Sequence, residues 1–595
     1  MTINDSLDGG RRSTSSLTPF EPSMTIAAAS NSTVDVNTPL LSSPSHHPSP
    51  SSQPPPSSHS SRTKHARTWL ASAPFAWVGI LLLALAISLD AQTVQSLQTY
   101  ALSTFAANGK LGILSSMQNF VTAAARPPIA IIADSYGRFE SFLFSITILT
   151  IGFVGLALSP GLDTFMFSQF AYATGQVGIQ FMETIIVADT SSLPNRALAT
   201  AMPMTPWMIT VFTAAPIVEA LVPDHWRLGY GIWAIIVPVS GIPLLLSLYY
   251  REKRAARHQR PQTPKSHSPS IPKATFMHFD IIGFLIFTIG LAFILFSAAY
   301  ATPGSYSTSS IVIGVLGFIL LIVFCYYELH VASHPILALD LARDRTVACG
   351  CTLAFLLFGG FAIYQPYFYS YLVVSRDASP SIATNLGLVS LFVSVIAGLI
   401  ASAAVKFTKR YKNIMILGVV IRIVAASLLL FFTTTTSSIT NLTTAQFLVG
   451  IGTGMGGIIV QVGVQAAVSA RDIATACALY ATASSIGNFL GDLISSLIWS
   501  SMLLSRLEAE LPVEAVGNAT AIANSIMVAQ SYAMGSVERE VINRCYVEVI
   551  RTLQGVGLSV FVVALLVCFL MKDIHLDRED PMSREDRIDA ESFVE

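Results

Sequence analysis

Between Phe75 and Met571 the chain lays down fourteen apolar stretches of membrane-spanning length, more than a soluble fold could readily bury. Each is close to the about 20 residues that a helix needs to cross roughly 30 Å of hydrocarbon, where every backbone N–H and C=O must be paired within the helix. The expected fold is therefore an all-α polytopic membrane protein with fourteen transmembrane helices, and a transporter is the first inference. Hydrophobic residues make up 52% of the chain and charged ones only 12%, against about 25% charged in a soluble domain. A net charge of -1 over 595 residues gives no electrostatic reason to expect nucleic acid or an acidic partner.

Residues 1–72 are rich in Ser, Pro and Thr, as in the run Ser42-Ser-Pro-Ser-His-His-Pro-Ser-Pro50, and carry no signal-peptide core. They read as a disordered cytosolic tail, too poor in apolar residues to build a core. Five of the six cysteines fall in or beside apolar spans and Cys545 stands alone, so no disulfide framework is expected. Cys349-Gly-Cys351 has no His or third Cys nearby, which favours packing over a metal site. The run Gly450-Ile-Gly-Thr-Gly-Met-Gly-Gly457 lies inside an apolar span with no following Lys-Ser/Thr, so it reads as close helix packing and not as a phosphate loop. No ATPase cassette and no catalytic constellation is present, so an enzyme is not expected and neither is a cofactor; energy would come from an ion gradient.

With the tail inside, the even-numbered turns carry sixteen Lys and Arg residues and the short outer turns three, Lys110, Arg227 and Arg376. That asymmetry is what the positive-inside rule requires, with both termini cytosolic. The sequons at Asn441 and Asn518 then fall outside as glycosylation candidates, while one at Asn31 stays in the tail. The basic loop separates six spans from eight, and setting aside one inserted pair leaves two six-helix halves. Lys406-Phe-Thr-Lys-Arg-Tyr-Lys412 then occupies the second-to-third turn of the second half, matching the charged turn Asp134-Ser-Tyr-Gly137-Arg138 in the first, which points to an internal repeat. The domains read as the tail (1–72), an N-terminal half (73–250), a basic cytosolic loop (251–278), an inserted helix pair (279–328), a C-terminal half (345–571) with a long outer loop (504–550), and a cytosolic tail (572–595).

Polar side chains at membrane depth must face a cavity or a partner helix, so they are the guide to mechanism. Asp90 lies near the middle of the first span, followed by Gln92, Gln95 and Gln98. A lone carboxylate there is costly to keep ionised, which suits a proton carrier; the alternative is a structural ion pair, with Arg126 as partner. Arg126 precedes Pro127-Pro128, where a helix is apt to kink, and could neutralise Asp90 or Glu183 or meet an anionic substrate. Gln169, Gln176, Gln180 and Glu183 share one face of the fourth span and read as a hydrophilic pathway or a helix contact, with Glu183 as proton site or gate.

In the ninth span Tyr364-Gln-Pro-Tyr-Phe-Tyr-Ser-Tyr371 sets Pro366 beside Gln365 in an aromatic cluster, which is either an interfacial belt or a helix broken at a binding cavity. Tyr364, Gln365 and Tyr367 are pathway candidates there, as are Gln461 and Gln465 one turn apart in the twelfth span and Asn488 in the thirteenth. Asp492 shares the face of Asn488 and is a third proton-site candidate; Arg422 in the eleventh span is its expected ion partner, since each charge would be costly alone.

Taken with the six-plus-six arrangement, Asp134-Ser-Tyr-Gly137-Arg138 resembles the cytosolic signature turn of the major facilitator superfamily, although Ala130 stands where that pattern has glycine. The resemblance implies a conformational role for Asp134, Gly137 and Arg138 in holding the halves together. It narrows at Ile186-Val-Ala-Asp189-Thr-Ser-Ser-Leu-Pro-Asn-Arg196-Ala, at Trp226-Arg-Leu-Gly-Tyr-Gly-Ile-Trp-Ala-Ile235, at Gln365-Pro-Tyr-Phe-Tyr-Ser-Tyr-Leu372, at Ala529-Gln-Ser-Tyr-Ala-Met-Gly-Ser536 and at the closing Phe569-Leu-Met-Lys572-Asp573. These are similar to the fungal siderophore-iron transporters, a fourteen-span branch of that superfamily. The resemblance implies a proton-coupled importer of ferric, hydroxamate-type siderophores in the plasma membrane, with endosomal vesicles as the other location, working as a monomer. A glutathione or drug proton antiporter of the same fold and a non-transporting nutrient sensor are the alternatives.

Overall fold

The computed structural model describes residues 59–190, 202–258, 280–300, 308–332, 337, 339–469 and 472–574. The tail before residue 59, the Asn31 sequon, Arg196, most of the basic loop, the end of the chain after residue 574 and the side chain of Asp134 lie outside the described residues. The chain divides into two units, Met1–Lys64 and His65–Glu595, and the apolar spans belong to the second.

The N-terminal half comprises α1 (His59–Thr104), α2 (Leu111–Ser135), α3 (Arg138–Leu158), α4 (Leu162–Thr190), α5 (Thr205–Leu221) and α6 (Trp226–His258). The inserted pair, α7 (Ile281–Ala299) and α8 (Thr308–His330), packs on itself, and α7 also touches α2 and α14. The ninth span is two pieces, α9 (Arg345–Ala362) and α10 (Gln365–Ser375), followed by α11 (Pro380–Thr408), α12 (Lys412–Phe432), α13 (Ile439–Ala466), α14 (Ile473–Glu510) and α18 (Val537–Leu570). Between the last two lie α15 (Val513–Val516), α16 (Ala519–Asn524) and α17 (Ile526–Ser531). Among the described residues ten spans are long and apolar by themselves, and α5 is apolar but shorter. The remaining three, α2, α4 and α14, are diluted by polar residues, and these are helices that wall the central cavity.

Local chemistry explains where helices start and break. Asp280, Ser379, Ser438 and Ser536 cap α7, α11, α13 and α18 by accepting from first-turn amides. Pro366 in the first turn of α10 supplies no N–H, and the ninth span breaks just before it. The tyrosines beyond the break are not a lipid-facing belt: Tyr364, Tyr367 and Tyr371 are all buried. Between Glu510 and Val537, the segment expected as part of a long loop is folded down by Arg539, which is buried and donates to Ala529 O at 2.6 Å and Val374 O at 2.8 Å. Ile526 N donates to Ser103 Oγ of α1, so the segment is tied to both halves.

Asp344 caps α9 through Thr346 N at 2.7 Å and Val347 N at 3.3 Å, and meets Lys572 at 3.2 Å. Burial pushes this carboxyl up, but the two amides and the ammonium outweigh it and hold the group below its usual value. A carboxyl depressed by folding adds stability above its unfolded pKa and loses it as pH falls through the folded value. Asp344→Ala is therefore expected to cost about 1 kcal/mol at neutral pH. Thermal unfolding in detergent should show the gap from the parent protein closing below about pH 4.

Candidate functional site

A cavity of about 680 Å³ opens between the two halves. From the N-terminal half it receives Gln92, Gln95 and Gln98 of α1, Gln118 and Asn119 of α2, and Tyr172 and Gln176 of α4. Gln92, Gln95 and Gln98 recur every three residues and so follow one side of their helix. Gln92 is fixed by donating to Thr210 Oγ1 of α5 at 2.8 Å. The C-terminal half contributes Phe361 and Gln365 at the α9–α10 break, Arg422 of α12, Gln461 of α13, and Asn488 and Asp492 of α14. Amides are set among apolar and aromatic side chains such as Leu357, Phe361, Leu391 and Ile458, so a largely apolar wall carries many hydrogen-bonding groups with little net charge.

The glycine run of α13 makes this packing possible. A Cβ on Gly454 would sit 2.0 Å from Ser394 O of α11, and one on Gly452 would sit 2.7 Å from the Arg422 backbone of α12. Neighbouring helices approach to backbone contact on both sides, as small residues allow in a membrane.

The charged groups are placed differently from their expected pairing. Arg422 is buried, donates to Thr453 Oγ1 at 3.0 Å and Val449 O at 3.3 Å, and lies 4.6 Å from the Phe561 ring and 5.2 Å from Phe361. Asp492 instead accepts from Asn119 Nδ2 across the two halves at 2.9 Å, so the expected Arg422–Asp492 ion pair does not form. Aromatic faces and a carbonyl stabilise the guanidinium without a carboxylate. Asp90 is fully buried one side chain behind the cavity wall, and its partner is the hydroxyl of Tyr172 at 3.0 Å, not Arg126. Arg126 lines a separate pocket of about 120 Å³ against Phe284, Phe287 and Phe324 of the inserted pair.

Helix register explains why Arg126 does not meet Glu183 either. Gly178 of α4 lies against Ile129 of α2. Arg126 and Glu183 sit to opposite sides of that level and are roughly 12 Å apart along the helices at 1.5 Å rise per residue. Glu183 Oε1 is buried without a partner, Gln180 is exposed, and Gln465 donates to Cys477 Sγ. Among the described residues, then, Gln95, Gln176, Gln365, Arg422, Gln461, Asn488 and Asp492 converge on the cavity. Asp90, Arg126, Gln180, Glu183, Tyr364, Tyr367 and Gln465 do not line it.

Away from the signature turn the halves are joined. Gly109 O accepts from Tyr367 Oη at 2.6 Å, Ser496 Oγ at 2.7 Å and Ser500 Oγ at 3.0 Å, while Ser116 Oγ donates to Phe489 O at 2.5 Å. Tyr367, expected on the pathway, stacks on Trp499 with ring centres 4.2 Å apart and belongs to this seam. Sequence reasoning missed Asn119, Tyr172 and Arg539; Tyr172 lies between Gln169 and Gln176 on the polar stripe of α4, a spacing that could have singled it out. Asn119→Ala removes a cross-half hydrogen bond worth about 0.5–1.5 kcal/mol. It should raise labelling of a Ser500→Cys reporter by a membrane-impermeant maleimide by about two- to tenfold over the reporter alone.

At the other end Gly137 holds φ 122°, a backbone region that L side chains rarely adopt. Glu252 of α6 accepts from Phe139 N at 3.1 Å and ties the signature turn to the last helix of its half. Asn441 and Asn518 are both exposed at the end of the bundle away from this turn.

A family model for the Major Facilitator Superfamily matches residues 76–491. The chain is 34% identical over 533 residues to the MFS siderochrome iron transporter C of Aspergillus fumigatus, covering 88% of this chain and 87% of that one. It is 34% identical to the siderophore iron transporter mirC of Emericella nidulans, covering 87% of each chain. It is 33% identical to siderophore iron transporter 1 of Schizosaccharomyces pombe, covering 81% of this chain and 79% of that one. Among solved structures it is similar to the POT family transporter PepTSo, with TM-score 0.55 and 14% identity over 84% of this chain and 97% of that one. A bacterial homolog of the lysosomal transporter Spinster, inward-facing and occupied, aligns with TM-score 0.51 and 18% identity over 87% of this chain and 99% of that one. At such identities the structural likeness speaks to the fold.

Proposed function

The chain belongs to the Major Facilitator Superfamily and, within it, to the fungal siderophore iron transporters; on that premise we propose that it imports ferric siderophore chelates together with protons, by alternating access of one cavity to the two sides of the membrane. The observation that carries this reading is a cavity of about 680 Å³ with amide-rich walls and a buried carboxyl, Asp90, one side chain behind them. A cavity of that size suits a bulky organic ligand. Its donors suit the oxygen-rich surface of a hydroxamate cage. The iron enters as cargo already held by that cage, and the protein reads the cage through Gln95, Gln176, Gln365, Gln461 and Asn488.

Asp90 is the favoured proton site, with Asp492 and Glu183 as the other candidate carboxyls. The cross-half bonds at Gly109 and Asp492 support a state closed at the end away from the signature turn. The positive-inside asymmetry makes that end the outer one. Asp134, Gly137 and Arg138 then serve the opposite gate, Asn441 and Asn518 lie where glycans are added, both termini are cytosolic, and the plasma membrane is the working location of the monomer.

The test uses fungal cells stripped of their own carriers and given a trihydroxamate labelled separately on iron and on ligand. Entry of both labels in constant ratio is expected. Iron entering without its ligand would refute the reading, and glutathione release without chelate uptake would favour an antiporter of the same fold.

A further inference from the structure

Asp90 is enclosed on most sides. Toward the end of the bundle away from the signature turn, Phe105, Phe165, Trp226 and Tyr230 form a plug with ring centres 5.8–6.2 Å apart. On the α6 side Trp233 Nε1 donates to Thr93 Oγ1 at 3.1 Å, closing the gap next to the carboxyl. On the α5 side Thr210 bonds both Gln92 and Ser88. On the remaining side stands Tyr172, which touches both worlds: its hydroxyl donates to Asp90 Oδ2 at 3.0 Å, and the same residue lines the cavity. Phe153 of α3 meets its ring at 5.2 Å and holds the phenol in place.

We propose that Tyr172 is the proton door between Asp90 and the cavity, so that proton and chelate use one compartment and occupancy of the cavity governs when Asp90 can exchange its proton. This rests on the reading of Asp90 as the proton site. Among the described residues the titratable groups that face Asp90 are Tyr172 from α4 and Tyr230 from α6, whose buried hydroxyl has no hydrogen-bond partner there. From α5 the groups that bond the residues flanking Asp90 are the Thr210 hydroxyl and the Trp207 carbonyl, neither of which titrates.

The step balances with a protonated water as its one co-reactant, which leaves as water. The Tyr172 O–H proton moves to Asp90 Oδ2 while a protonated water in the cavity delivers a proton to the phenol oxygen, so the phenol is regenerated and the charge of the carboxylate is neutralised. Release runs in reverse. A chelate lying against Tyr172 displaces that water and stops exchange, which prevents proton leak through a loaded carrier.

The test compares the full-length parent with Tyr172→Phe, Tyr172→His and Asp90→Asn, using a radio-iron trihydroxamate and surface expression as control. For Tyr172→Phe, protonophore-sensitive accumulation should fall at least about tenfold, well beyond any fall in counterflow measured in the same cells. Tyr172→His, which keeps a tip able to donate and accept, should restore part of the accumulation and move its pH dependence. Full accumulation by Tyr172→Phe with none by Asp90→Asn would overturn the door and leave the proton site standing. Full accumulation by Asp90→Asn would instead remove the proton-site reading itself. Should the Phe variant fail to reach the membrane, a His variant with parental accumulation and an unmoved pH profile would overturn the proposal.

Discussion

Asp90→Asn is expected to bring the accumulation ratio of a transported ferric chelate to about one while leaving exchange across the membrane intact. The side chain is wholly buried and its one hydrogen bond comes from Tyr172, so the isosteric amide can keep that contact through its carbonyl oxygen. The fold therefore has little reason to change. What is lost is the ability to carry a proton. One proton moved across about 100 mV supplies about 2.3 kcal/mol, which sustains a roughly fiftyfold gradient. Accumulation against counterflow, measured in the same cells with surface protein quantified, separates lost coupling from lost binding. Parental accumulation by the variant would remove Asp90 from the mechanism.

Gly454→Leu is expected to abolish the folded protein. Its Cβ would meet Ser394 O at 2.0 Å, Ser394 C at 2.8 Å and Gly398 N at 2.9 Å. These are backbone atoms, which cannot rotate aside, so α11 and α13 would have to separate along their length. Overpacking in a core costs about 1–3 kcal/mol when side chains can yield, and here they cannot. Gly555→Ala is the matched control, since nothing lies within 4 Å of its added Cβ. Surface expression and detergent gel filtration should show loss of the monodisperse peak for Gly454→Leu and no change for Gly555→Ala.

Much of the architecture was legible because lipid is so restrictive a solvent. Hydrocarbon forces long apolar runs, so spans could be counted, and it penalises polar side chains, so Gln95, Gln176, Gln365 and Gln461 could be marked as cavity residues before any helix was packed. The break at Pro366 was readable from the missing N–H. Pairings were not, because sequence gives depth along one helix but not the direction in which it faces a helix hundreds of positions away. Depth and charge match Arg422 with Asp492; packing instead sets Arg422 against Phe561 and Asp492 against Asn119. Depth alone leaves Arg126 with Asp90, Glu183 or an anionic substrate as partner, whereas α2 turns it toward the inserted pair. Tyr172 is not legible in sequence because an aromatic on an apolar helix has the same pattern whether it packs or meets a carboxyl from another helix.

The central claim is that a proton gradient drives the chelate through this cavity, and purified protein in liposomes tests it most directly. Uptake of a radio-iron trihydroxamate would be followed with an imposed acid-outside gradient, without one, and with a protonophore. Accumulation well above equilibrium under the gradient alone, collapsing with the protonophore, is the result expected. Equilibration to one level under all three conditions, by protein that demonstrably binds and exchanges the chelate, would contradict it.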